Sequence, residues 1–329
     1  MDIEKEGTQV RPPNLISALL AGFDSISNHI GVLLLPIIID LFLWLGPRLQ
    51  VQELLLKTLE NFGIFAAPTT GENASFVLAS QELWQQVAER INLFSAIRTY
   101  PIGIPSLIAG ELPAEAPIGF STFQIDTWLF AFVIWLGLGL FGIFLGTLYF
   151  LATAQITLEG EFKTRRMFRL MPWTYGQILL LTIAWIFLLL LLSIPVSFLL
   201  SLVLSIGSFF GQVLLLISGG FLLWILFPLI YSAHGVFVNR IRFWSSVKKS
   251  IRIVQLTLPA TALFVLAIFI IDQGLGLLWQ IPAEKSWLML IGVFGHAFVA
   301  TALLSATFIY YRDADIWMQN VLRRFQEAK

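Results

Sequence analysis

Three ionisable side chains stand inside long apolar stretches of this chain: Asp40 in IIIDLFLW, Asp272 in FIIDQG and His296 in VFGHAF. A charge at the centre of a bilayer costs about 3 kcal/mol or more, so such residues turn toward a bundle interior or a water-filled path and are candidate sites by default. A carboxylate beside an imidazole stabilises the imidazolium and tunes its protonation, which suits cation binding or a proton relay. The structural alternative is an interhelical contact or, for Asp272 and Gln273, a helix end in wet headgroups beside Gly274 and Gly276. His29 and His234 have no ligand-spaced partner and read as ordinary interfacial histidines. Histidines so far apart make no zinc motif, and no metal is expected.

The elements that must hold these residues follow from composition. The chain is 57% hydrophobic and 12% charged, with mean hydropathy +0.84; a soluble domain is about 25% charged. Apolar surface here must meet lipid. Net charge is zero, which gives no global attraction for nucleic acid. Cysteine is absent, which removes disulfides and thiolate chemistry. No GxxxxGK[ST], HExxH, GxSxG or glycine-rich dinucleotide fingerprint occurs, so a non-enzymatic protein without a cofactor is expected.

A transmembrane helix needs about 20 mainly apolar residues, because hydrocarbon offers backbone groups no partner. Six stretches qualify: 29–47, 127–152, 177–202, 210–233, 257–280 and 287–310. The first reads as a signal-anchor kept in the mature protein, since the opening residues are polar. From Leu170 to Asn239 no charged residue occurs; as one helix that run would be about 105 Å long, so it must fold back, with Gly207 and Gly211 near Ser205 and Ser208 as the breaker. The expected fold is an all-α polytopic bundle with a small extracytoplasmic helical cap.

Basic residues set the orientation. Segments 1–28, 153–176, 234–256 and 311–329 hold 15 of the 20 Lys and Arg, which places them and both termini in the cytoplasm of an inner-membrane protein. Tyr149, Tyr175, Tyr231, Tyr310 and Tyr311 fall at the cytoplasmic helix ends, and Trp44, Trp128, Trp279 and Trp287 at the other, as interfacial belts would. On this map Asp272 and His296 lie about 12–14 Å below the outer surface on spans joined by a short turn, with Asp40, one turn after Pro36, able to join from above.

Outside the bilayer, Leu15, Ile16, Leu19, Leu20, Phe23 and Ile26 form one stripe, either an interfacial helix or an extension of the first span. Region 48–126 offers an amphipathic helix at Val51–Phe62 and a second on Leu83, Trp84, Val87, Ile91 and Phe94. Thr69 and Glu72 have capping-box spacing. A stretch with Pro101, Pro105, Pro113 and Pro117 reads as extended loop, and Asp126 as the N-cap of the second span. Arg240–Val254 joins Trp244, Val247, Ile251 and Val254 to Arg240, Arg242, Lys248, Lys249 and Arg252, a basic amphipathic helix drawn to anionic lipid or simply fixing topology. Gly139, Gly142 and Gly146, and Gly292, Gly295, Ala302 and Ala306, permit close helix approach within the chain or in a homo-oligomer. Ser193–Ser197 around Pro195, and Pro228, are expected kinks.

The stretch Phe227–Leu258 runs from a span ending in Pro, through a Tyr-Ser-Ala-His-Gly turn, to a basic helix carrying Ser245, Ser246 and Ser250, and on to the next span. This resembles the six-span bacterial membrane domains attached to some glycerophosphodiester phosphodiesterases. The resemblance covers the last half of the chain; no catalytic phosphodiesterase domain accompanies it, so it implies a membrane bundle and no activity. The AGFDSISNHIGVLLLPIIIDLFLWLGP and RTYPIGIPSL segments look like uncharacterised bacterial membrane proteins. The reading is a protein that handles or senses lipids or small solutes, or a subunit of a membrane assembly, with membrane lipids as partners. The alternatives are a secondary transporter or channel using Asp40, Asp272 and His296, and an intramembrane enzyme.

Overall fold

The computed structural model describes residues 12–62, 72–111, 113, 115–119, 121–206 and 208–327. In chain order the elements are α1 (Leu15–Ser27), α2 (Leu34–Leu45), β1 (Arg48–Gln50), α3 (Gln52–Asn61), α4 (Glu72–Arg90), α5 (Ile108–Glu111), β2 (Thr122–Gln124) and α6 (Trp128–Glu159). They continue with α7 (Thr164–Ile206), α8 (Ser208–Leu226), α9 (His234–Val238), α10 (Phe243–Leu256), α11 (Leu258–Trp279) and α12 (Met289–Glu327). The fold is all-α, as the composition requires. Five helical stretches are long and apolar enough to cross a membrane, and six if a pair bent by 87° between Leu15–Ser27 and Ile30–Leu45 is one broken span. Gly207, Thr69 and the cations Lys5, Arg11 and Lys329 lie outside the described residues.

The bend removes the straight extension of the first span. Asn14 caps the start of α1 by accepting from Ile16 N, and Asn28 ends it by donating Nδ2 to Asp24 O at 2.8 Å. A 3-10 turn, Ile30–Leu33, then leads into α2, where Pro36 sits in the first turn and lacks only an N–H that the helix start leaves unused. Helices α7 and α12, with 43 and 39 residues, are about 64 and 58 Å long. Both overrun a hydrocarbon layer of about 30 Å. Helix α7 runs through Pro172 and Pro195 unbroken in assignment, whereas α8 stops at Leu226 and Pro228 enters a 3-10 turn.

The chain divides into two compact units, Met1–His29 with Phe150–Ile270 and Ala302–Lys329, and Ile30–Tyr149 with Ile271–Thr301. In the first, Ala18, Phe264, Ala306, Tyr310, Tyr311, Ala314 and Met318 form the core. Phe264 stacks on Tyr310 with centroids 4.1 Å apart. Gly22 lets α1 touch α12: a Cβ there would lie 2.7 Å from Ala302 O and 2.8 Å from the Ala306 Cβ. The most apolar 18 residues of α12 are 56% buried, against 0% for the most apolar 18 within Gly211–Val238. The small residues of α12 therefore make intramolecular packing.

Four of the five tyrosines expected in an interfacial belt pack inside the protein instead. Tyr149, Tyr231, Tyr310 and Tyr311 are fully buried, and three find hydroxyl partners inside: Tyr149 donates to Thr301, Tyr311 to Asn239, and Tyr310 pairs with Thr261. A ring whose hydroxyl is satisfied internally gains nothing from the headgroup layer. Trp44 is likewise buried and donates Nε1 to Glu284 O at 3.0 Å.

In the second unit, β1 and β2 pair in parallel, Arg48 opposite Thr122 and Gln50 opposite Gln124, and Val51, Ile125 and Ala131 pack nearby. The Arg48 guanidinium is buried and donates to Pro113 O; burial pulls its pKa below the ordinary arginine value, against the opposing charge of Glu284. Helix α4 turns Ala88 inward and leaves Leu83, Trp84 and Val87 exposed. Thr127 rather than Asp126 caps α6, accepting from Phe130 N.

Candidate functional site

The proline-rich stretch is the largest departure from expectation, and it explains Asp40. Ile97, Ile102, Ile104, Ser106, Leu107 and Ile108 are all buried. Gly142, 14 residues and about 21 Å into α6, meets this segment directly: a Cβ there would lie 2.2 Å from Ile97 O. A Cβ on Gly146 would meet Gly103 Cα at 3.4 Å. The GxxxG of α6 thus admits the end of a 3-10 turn, Leu93–Ile97, and the irregular backbone at Gly103, not another α-helix. Irregular backbone beside an apolar helix survives only where protein satisfies its polar groups. Asp40 does so. Its carboxylate accepts from Ser106 Oγ, from Leu107 N at 3.1 Å and from Ile108 N at 3.2 Å, while Ser106 Oγ accepts from Ala109 N. Asp40 is a staple for the start of α5.

Asp272 and His296 belong to the same unit. His296 lies within electrostatic reach of Asp272, but no hydrogen bond or ion pair joins them among the described residues; Asp272 accepts from Gln273. Arg98, on the buried segment, acts electrostatically on both Asp40 and His296. Sequence reasoning missed Arg98 because nothing local shows that its loop turns inward.

The first unit holds a second polar cluster. Asp315 on α12 is buried and accepts from Lys249 Nζ at 2.7 Å, Asn239 Nδ2 at 3.0 Å and Gln319 Nε2 at 3.0 Å; Tyr311 donates to Asn239. Lys249 is therefore a core ion-pair partner and not a free lipid-facing cation. His234 is buried as well, which corrects its reading as interfacial. Thr307 gives its hydroxyl proton to Leu304 O and so accepts from His234 Nε2 at 2.9 Å. Among the described residues His234 Nδ1 and Tyr231 OH have no hydrogen-bond partner, and the two rings stand 5.1 Å apart.

Helix α10 docks by serines rather than by its apolar stripe. Ser246 donates to Ser232 O, Ser250 donates to Pro228 O at 2.7 Å and accepts from Tyr231 N. Ile253 and Val254 complete the buried face, and Trp244 is exposed. Small hydroxyl residues let the helix approach the Pro228–Ser232 turn and cover its free carbonyls. The opposite face carries Lys248 and Arg252, with Lys248 Nζ 5.6 Å over the Trp244 ring, and Arg242 is exposed at the N-cap. Arg240, before the helix, has φ +53°, a left-handed conformation that costs a side-chain-bearing residue about 1 kcal/mol.

The charges divide unequally. Among the described residues the first unit holds 12 cations and six acids, and the second five cations and 11 acids. Near the α6–α7 turn, a hydrogen bond and the charge of Lys163 hold Glu161 below the usual carboxylate range, and Arg166 pairs with Glu159.

The fold and these polar clusters define a helical integral membrane protein. Comparison with protein-family models, curated proteins and solved structures finds no match to this chain.

Proposed function

We propose that this is a non-enzymatic membrane protein that engages anionic lipid through the outward face of α10, the face lying on the cytoplasmic leaflet with both termini. The observation that carries the reading is the division of α10 itself. Its serine face is bonded to the Pro228–Ser232 turn, which fixes Trp244, Lys248 and Arg252 outward. An aromatic ring beside exposed cations suits the headgroup layer, where each basic residue gains about 1 kcal/mol from an anionic surface. For the transport alternative, Asp40 is a carboxylate that already accepts from Ser106, Leu107 and Ile108.

The test is reconstitution into nanodiscs with and without phosphatidylglycerol. Thermal stability should rise with the anionic lipid fraction, and the rise should shrink in a Lys248→Gln/Arg252→Gln variant that folds normally. An equal rise in that variant would remove the assignment to α10.

A further inference from the structure

We propose that Lys163, Arg165, Arg166, Arg169 and Arg240 form a binding site for a phosphate group, separate from the α10 face. These five cations, with Leu170 alone beside them, line one cleft of about 420 Å³. Glu161 and Glu159 neutralise Lys163 and Arg166. The side chains of Arg165, Arg169 and Arg240 have neither a hydrogen bond nor an ion pair among the described residues. Like charges held around a shared space repel unless an anion sits between them. Guanidinium groups present donors in a fork that matches phosphate oxygens, which makes phosphate the fitting anion.

Two further observations point the same way. Arg240 occupies φ +53°, where glycine or asparagine would sit without strain, and it reaches the cleft from a different part of the chain than the other four. Arg165 and Arg166 lie in the first turn of the 43-residue α7, whose N-terminal partial charge also favours an anion. The phosphate belongs either to a lipid headgroup or to a soluble phosphate compound. Exposed Phe162 and Phe168, alternating with the cations along the chain, provide apolar rings for acyl chains in the first case.

The experiment uses the full chain purified in neutral detergent. Thermal shift is titrated with inorganic phosphate, with pyrophosphate and with short-chain phosphatidylglycerol, using short-chain phosphatidylcholine as the reference lipid. The variants are Arg240→Gly, Arg165→Gln/Arg169→Gln and the α10 control Lys248→Gln/Arg252→Gln. The site predicts a saturable shift and at least a tenfold loss of affinity in both cleft variants, with the α10 control unchanged. Arg240→Gly should also keep or raise the ligand-free melting temperature, because glycine suits that φ; weaker binding in a more stable protein separates recognition from folding. Saturation by phosphate or pyrophosphate assigns a soluble ligand, and saturation by phosphatidylglycerol alone assigns a headgroup. No saturable shift with any of the three, or cleft variants that bind like the parent, overturns the site. Loss of the shift only in the α10 control would transfer binding to α10. The α10 reading is judged by the nanodisc result and stands or falls independently.

Discussion

Asp40 and Asp315 are both buried aspartates that tie irregular chain to a helix, yet their partners differ in a way that decides what each can tolerate. Asp40 takes three donors, two of them backbone N–H groups of Leu107 and Ile108 that no substitution short of proline removes. Asp315 takes side-chain donors only: Lys249, Asn239 and Gln319. A buried donor left without an acceptor costs roughly 1–3 kcal/mol, while removing both partners of a pair can be nearly neutral. Damage at Asp40 is therefore permanent, and damage at Asp315 can be repaired by a second change.

Asp40→Ala should give the largest loss, about 3–5 kcal/mol, since it strands three buried donors at once. Adding Ser106→Ala should restore little, and thermal unfolding of the two variants in detergent checks both statements. Asp315→Ala should cost about 2–4 kcal/mol, because Lys249 keeps some access to solvent. Here Lys249→Met in the same chain should recover a large part of the loss. If Ser106→Ala rescued Asp40→Ala as well as Lys249→Met rescues Asp315→Ala, the distinction between backbone and side-chain donors would fail.

Gly142→Ala tests the segment that Asp40 holds. Its methyl group would collide with Ile97 O, so about 1–3 kcal/mol should be lost, whereas Gly139→Ala, with open space around its Cβ, should change stability by less than about 0.5 kcal/mol. The smallest effect belongs to Tyr231→Phe. The hydroxyl removed has no partner, so the melting temperature should stay level or rise slightly, by the equivalent of about 1 kcal/mol at most. A marked fall would mean that Tyr231 and His234 share a bound water.

The hydropathy of the chain was enough to establish the class, because a helix solvated by hydrocarbon must be apolar over most of its length, and that property is written residue by residue. The fold-back near Gly207 was legible for the same reason: α7 ends at Ile206 and α8 begins at Ser208. Local pattern misled where a face had to be chosen. Helix α10 buries Ser246 and Ser250 and exposes Trp244, because the turn it covers offers carbonyls that need donors.

What the sequence determined by itself was the set of apolar helices and the sorting of basic flanks, both consequences of solvent preference one side chain at a time. What tertiary structure alone decided was which polar groups share a partner. The inward turn of Ile97–Ile108, the capture of Lys249 by Asp315 and the gathering of Arg240 with the α6–α7 cations each join residues tens of positions apart. A buried donor is satisfied by whatever acceptor the packed chain brings within about 3 Å, and that proximity has no signature in local spacing.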